Sequence, residues 1–190
     1  MALNVQEHLI IEAKRLFLRP AESRDIEAII HLYRENAAHL AASAPKRNPE
    51  FLTNEYWQNQ IKTNQADLKD DRAVRLFVFT SGGVLIGFVN FTAILRGASH
   101  FCYLGYGISK AYEGQGLMSE AVRAGINFMF EVMNLHRIMA NFMPANERSG
   151  RLLQRLGFVE EGFAKDYLFL DGAWRDHVMT SLTNSAWREK

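Results

Sequence analysis

At 190 residues the chain is long enough to bury a substantial core as one domain without metals or disulfides. Hydrophobic residues make up 48% and charged residues 23%, the composition of a globular protein, and no apolar run approaches the roughly 20 residues of a membrane-spanning helix. With 22 basic against 21 acidic residues spread along the chain, nothing concentrates the basic stripe of a nucleic-acid binder.

The first residues, MALNVQEHLIIEAKRLFLRP, include acids and no uninterrupted apolar stretch, so they do not read as a secretion signal. The single cysteine, Cys102, rules out an internal disulfide framework and suits a reducing compartment, which points to the cytoplasm. Arg15 to Arg19 is a mostly apolar run that stops at Pro20 and predicts a first strand. Ser23 then precedes a helical pattern in which Ile26, Ile29, Ile30 and Tyr33 share a face, with Ser23 as its N-cap. Pro45 and Pro49 break that pattern. A second helix is predicted from Thr53 to Lys69, with Trp57, Ile61 and Leu68 at helical intervals.

The texture then changes. Val74 to Thr80 and Val84 to Ile94 flank Ser81-Gly82-Gly83 as a hairpin, and Phe101 to Ile108 makes the next strand. Gly114-Gln115-Gly116 opens a long helix with Met118, Ala121, Val122, Gly125, Met129, Val132 and Met133 on one face. Arg137 to Met143 is a short strand closed by Pro144. Glu147 to Leu156 is a helix with Asn146 as N-cap and Gly157 as its stop. Val159 to Leu170 and Trp174 to Leu182 form a last hairpin around Asp171-Gly172. No repeat or linker appears, so one mixed α/β domain is predicted.

The segment from Tyr106 to Met118 runs from a strand through glycines into a helix. A helix start offers unpaired N–H groups and a positive dipole end, and glycines let the backbone approach an anion closely. The segment lacks the third glycine of G-x-G-x-x-G and the Lys-Ser/Thr of a P-loop. A tight strand-to-helix turn is the alternative reading.

Together with Pro144-Ala145-Asn146-Glu147-Arg148-Ser149 and Leu156-Gly157-Phe158, this order of elements resembles the GNAT family of N-acetyltransferases. The family loop pattern Gln/Arg-x-x-Gly-x-Gly/Ala, placed on Glu113-x-x-Gly116-x-Met118, departs at its first and last positions. The resemblance spans Arg15 to Leu182 and is most specific from Gly105 onward, where it points to the branch acetylating the N-terminal alanine of ribosomal proteins. It implies the GNAT fold, a mixed and mostly antiparallel sheet with a splayed cofactor-binding strand and flanking helices. It also implies acetyl-CoA as acetyl donor, no metal, and a ribosomal-protein N-terminus as acceptor. On this resemblance Tyr106, Gly107 and Ile108 form the splayed strand that pairs with the pantetheine amides. Gly114, Gln115, Gly116, Leu117, Met118 and Ser119 hold the pyrophosphate. Asn146 bonds the pantetheine arm, a role compatible with capping a helix.

Many relatives place a glutamate on the strand before the Asn and a tyrosine on the following helix. Here those positions hold Asn141 and Leu153, neither an acid nor a base. Ser149 is the candidate replacement acid, beside Asn146, with an ordinary first-turn serine as the alternative. Glu161, Asp166, His100, Asp176 and His177 remain as candidate bases, the N–H of Ile108 as candidate oxyanion donor, and Asp166 and Tyr167 as candidate peptide contacts. Cys102 has no partner for nucleophilic chemistry and reads as a small buried strand residue. The six histidines show no ligand spacing. A small amine as acceptor, or a non-catalytic acyl-CoA-binding or ribosome-assembly module, are the rival readings.

Overall fold

The computed structural model describes residues 9–41 and 44–189. Eight strands form one sheet: β1 (Ile11–Glu12), β2 (Leu16–Arg19), β3 (Val74–Thr80), β4 (Leu85–Leu95), β5 (Phe101–Ile108), β6 (Arg137–Phe142), β7 (Val159–Leu170) and β8 (Ala173–Thr183). Their spatial order is β1-β2-β3-β4-β5-β6-β8-β7. Every neighbouring pair is antiparallel except β5 and β6. Hairpin turns connect β3 to β4 and β7 to β8, whereas the parallel pair needs a crossover, which α4 (Leu117–Asn127) supplies.

Both faces of the sheet are covered. Along β3, Val74, Leu76 and Val78 alternate with Phe77 and Phe79. The first set packs with Leu117, Ala121, Val122 and Ile126 of α4 and with Leu152 and Leu153 of α5 (Glu147–Arg155). The second packs with Ile26, Ile29 and Tyr33 of α1 (Ile26–Glu35) and with Trp57 and Ile61 of α3 (Asn54–Lys69). Gly125 lets α4 lie close on the sheet: a Cβ there would come 2.9 Å from the Phe91 ring.

The N-terminal half departs from the sequence pattern in two places. Ser23 does not cap the first helix but lies inside a 3₁₀ turn, Ser23–Asp25. The Asp25 carboxylate accepts the Glu22 N–H at 2.7 Å and both terminal nitrogens of Arg19 at 2.6 and 2.7 Å. The helix then breaks at Asn36 into a separate α2 (Ala37–Ala41). The Asn36 amide explains the break: its Nδ2 donates to Leu32 O and its Oδ1 accepts from the distant Lys110 N–H, each at 2.8 Å. A third departure follows α4, where a π-turn over Phe128–Val132 advances the register and buries Phe128 and Met129. The second helix begins one residue later than expected, at Asn54, because Thr53 is its cap and accepts the Tyr56 N–H, and the chain leaves α5 through Gly157 at φ +92°.

The Arg19–Asp25 pair is almost wholly buried. Burial disfavours the charged carboxylate, but the Arg19 guanidinium and the Glu22 N–H outweigh it and hold the pKa below 3.8. The pair's contribution is therefore complete above the unfolded value and lost as pH falls through the lower folded one. Asp25→Asn strands a buried guanidinium and should cost about 3 kcal/mol. Urea unfolding at pH 7 and in acid reads this: the variant should be less stable at neutrality and lose less stability on acidification.

Candidate active site

The parallel ladder between β5 and β6 pairs Phe101, Cys102 and Tyr103 with Arg137, Ile138 and Met139, and goes no further. Beyond it β5 stays paired to β4 as far as Ile108, and β6 to β8 as far as Phe142. The strands thus part as a fork. Ser109 N donates to Ile86 O, so alternation turns the N–H groups of Tyr106 and Ile108 away from β4 and into the gap. Gly107 is glycine for a local reason, because a Cβ there would meet the Phe88 ring at 2.6 Å.

The fork opens into a cavity of about 770 Å³. One wall is the loop into α4. Gly114 and Gly116 both take left-handed conformations, φ +74° and +75°, and no atom lies within 4 Å of where a Gly114 Cβ would stand. Gly116 is the N-cap of α4, so the first N–H groups of that helix face an open concavity. The side chains of Leu117 and Met118 are in the core, which leaves their backbone as what they present to the cavity. Both glycines of Gly114-Gln115-Gly116 thus take the conformation that turns the chain from the strand into α4.

Of the expected cofactor residues, only Gln115 is not part of the cavity wall. Its side chain folds back to Ala111 O at 3.2 Å, and its carbonyl accepts from Arg15. Arg15 also bonds Glu120 of α4 through its own N–H at 2.6 Å and its Nε at 2.8 Å. Burial opposes charge on Glu120, but these Arg15 donors hold its carboxyl below the usual range. The loop is strapped to the edge of β2.

The opposite wall is the start of α5. Asn146 caps it, its Oδ1 accepting the Ser149 N–H at 3.2 Å. Ser149 Oγ lies 2.7 Å from Tyr106 Oη, which joins α5 to β5 across the fork. Burial pushes the Tyr106 phenol up to about 12, with the Ser149 hydrogen bond acting in the other direction. Arg148, Arg151 and Arg155 add a cationic side to the cavity. Their i, i+3, i+7 spacing marks one helix face in the sequence, and it was the available signal for them. Glu113 bonds Arg148 and lies 3.4 Å from His39 of α2.

None of the candidate bases lines this cavity. Glu161 is bound to Arg137, which with Ser181 lowers its pKa. Asp176 accepts the Asp166 N–H at 2.9 Å. His100 lies tilted against the Trp187 ring at the far end of β5. His177 is 3% exposed, its Nδ1 donating to Arg175 O, with its ring edge-on to Tyr167. Asn141 Nδ2 bonds the Tyr167 hydroxyl at 3.3 Å, while Asn141 Oδ1 is buried without a partner. Leu153 is core. Cys102 is fully buried and its thiol is pushed up to about 12 by burial, so it is no nucleophile. Among the described residues no acidic, histidine or cysteine cluster could hold a metal.

A fork with free N–H groups, an open glycine loop at a helix start and three arginines suit an extended amide chain ending in phosphates. The comparisons agree. Residues 15–159 match the acetyltransferase (GNAT) domain, and the chain belongs to that family. It is an acetyltransferase with acetyl-CoA as donor. It is 42% identical to the ribosomal protein uS5-alanine N-acetyltransferase of Escherichia coli (strain K12) over 91% of this chain and 90% of that one. The ribosomal-protein-S5-alanine acetyltransferase of Vibrio fischeri superposes with a TM-score of 0.91 at 37% identity, covering 96% of this chain and 100% of that one. Mycobacterium smegmatis RimJ, solved with a CoA disulfide, gives 0.86 at 27% identity, covering 92% and 85%.

Gly116→Val puts a β-branched residue at φ +75° and displaces the helix start. Calorimetry should find acetyl-CoA binding at least about tenfold weaker, or ~1.4 kcal/mol, in a protein whose circular dichroism is unchanged.

Proposed function

We propose that this chain acetylates the N-terminal α-amine of a ribosomal protein, on alanine, by direct transfer from acetyl-CoA within the fork. The observation that carries the acceptor class is the 42% identity over nine-tenths of both chains to an enzyme named for that reaction. The chemistry of the site supports it. Where a base would stand there is an amide, Asn141, and the carboxylate on the cavity wall, Glu113, is occupied by Arg148 and His39. A site without a free base favours an amine that is already neutral. An α-amine of pKa about 7.7–8.0 is roughly one quarter neutral near pH ~7.4, whereas a lysine near ~10.4 is neutral about once in a thousand, a handicap on the order of 4 kcal/mol.

When bound, acetyl-CoA supplies a thioester carbonyl open to attack by such an amine. In this reading the splayed strand pairs with the pantetheine arm, the Tyr106 N–H on a pantetheine amide and the Ile108 N–H on the carbonyl oxygen where negative charge develops. The N–H groups of Leu117, Met118 and Ser119, with Gly114 and Gly116, hold the pyrophosphate. Asn146 keeps its cap and turns its NH₂ to the pantetheine arm. Ser149 hydrogen-bonds the sulfur as it becomes a thiolate. A ribosomal acceptor sets the reaction in the cytoplasm, and among the described residues no helix is long and apolar enough to cross a membrane.

An Ala-initiated peptide with an internal lysine should be acetylated at its N-terminus, at a rate that rises with pH through the peptide's own α-amine pKa. Mass spectrometry across a pH series checks this; preferential ε-acetylation, or transfer only to small amines, refutes the acceptor assignment. Ser149→Ala should lower kcat by about 10-fold to 100-fold and raise KM for acetyl-CoA less, because a contact to developing charge strengthens toward the transition state. Steady-state kinetics on that peptide reads the split.

A further inference from the structure

We infer that the Tyr106 side chain is a positioning residue for the transfer: its hydroxyl donates to Ser149 Oγ and thereby aims the Ser149 proton at the sulfur. The inference rests on the thiolate role given to Ser149 above, and adds to the backbone role of Tyr106 a separate one for its phenol. The two oxygens are 2.7 Å apart, on opposite sides of the fork, and both residues line the cavity. Among the described residues the Tyr106 hydroxyl has no other hydrogen-bond partner, and the Ser149 hydroxyl none but Tyr106. Which oxygen donates follows from chemistry. A phenol is the more acidic hydroxyl and an alkyl oxygen the better acceptor, so Tyr106 gives its hydrogen and Ser149 receives it. Burial pushes the phenol up to about 12, so near neutral pH it retains the hydrogen that it gives to Ser149.

A serine hydroxyl alone turns among its rotor positions. With one lone pair engaged by Tyr106 and its N–H held by Asn146 Oδ1, the Ser149 hydrogen is left free to point into the cavity. Transfer forms a C–N bond and breaks a C–S bond. The electron pair stays on sulfur, and the amine releases one proton to water, which later neutralises the thiolate. Tyr106 and Ser149 lose no proton in this sequence; they supply an oriented donor where charge appears, and that orientation is preorganised before the step.

The test is a double-variant cycle on the full chain with Tyr106→Phe, Ser149→Ala and both together. Tyr106→Phe should lower kcat about fivefold to tenfold, leave KM for peptide and acetyl-CoA within about twofold, and add little to Ser149→Ala. A second readout needs no turnover: the thiol of bound CoA, titrated by thiolate absorbance, should have a higher pKa in either single variant than in the wild type, and no higher in the double. Replacing Tyr106 with 3-fluorotyrosine, a stronger donor of nearly the same shape, should lower that thiol pKa and covers the case where the phenylalanine variant fails to fold. A bound thiol that titrates alike in the wild type and both tyrosine variants, or additive losses in kcat, overturns the inference while leaving Ser149 in place. A Ser149→Ala protein with wild-type kcat and thiol pKa removes the thiolate reading and this inference with it.

Discussion

Between Tyr103 and Ile108 one side of β5 has no strand beside it, although the interior of a sheet is where backbone groups are most strictly paired. Each arm of the fork is held by its outer neighbour, β4 on one side and β8 on the other, so the gap does not close by simple zipping. Close packing behind β5 sharpens this constraint. A Cβ on Gly87 would meet Gly107 O at 2.4 Å, and one on Gly107 would meet Phe88 and Leu40. The backbone there has little room to shift. The unpaired N–H groups of Tyr106 and Ile108 then need a partner of peptide-like character, and an extended chain of amides is the simplest one.

Charge is arranged around this gap in a way the net balance of the protein conceals. The chain is nearly neutral as a whole, yet the cavity gathers three arginines and a helix start. The carboxylates nearby are already spoken for: Glu120 by Arg15, Glu113 by Arg148 and His39. An anion entering the cavity meets donors and no uncompensated acid, which is why clustered charge, and not total charge, decides what such a site attracts.

The elements that the sequence made visible are those whose causes are local. Thr53 and Asn146 cap the helices that follow them, and Gly157 ends α5, because each acts within a turn of its own position. Long-range causes left no such mark. The break at Asn36 depends on the distant Lys110, whereas the first helix starts on a local contact that displaces a Ser23 cap, the Asp25 carboxylate taking the Glu22 N–H and Arg19. The π-turn at Phe128–Val132 lies inside an otherwise regular apolar stripe. At the site the glycine loop was legible, because Gly114-Gln115-Gly116 stands directly before the helical pattern it opens. Tyr106 was read for its backbone; its phenol meets Ser149 from 43 residues away, a distance no periodicity spans.

Arg15 and Glu120 are 105 residues apart in the chain. During synthesis at about 5–20 residues per second, several seconds or more pass between their appearances. Strands β1 to β4 can pair in that interval, but the strap that fixes the glycine loop is completed only after α4 has been made and laid back across the sheet. The site therefore matures late, from segments made well apart in time. Damage to the strand edge at residue 15 would be felt at a loop that the sequence places in another half of the protein.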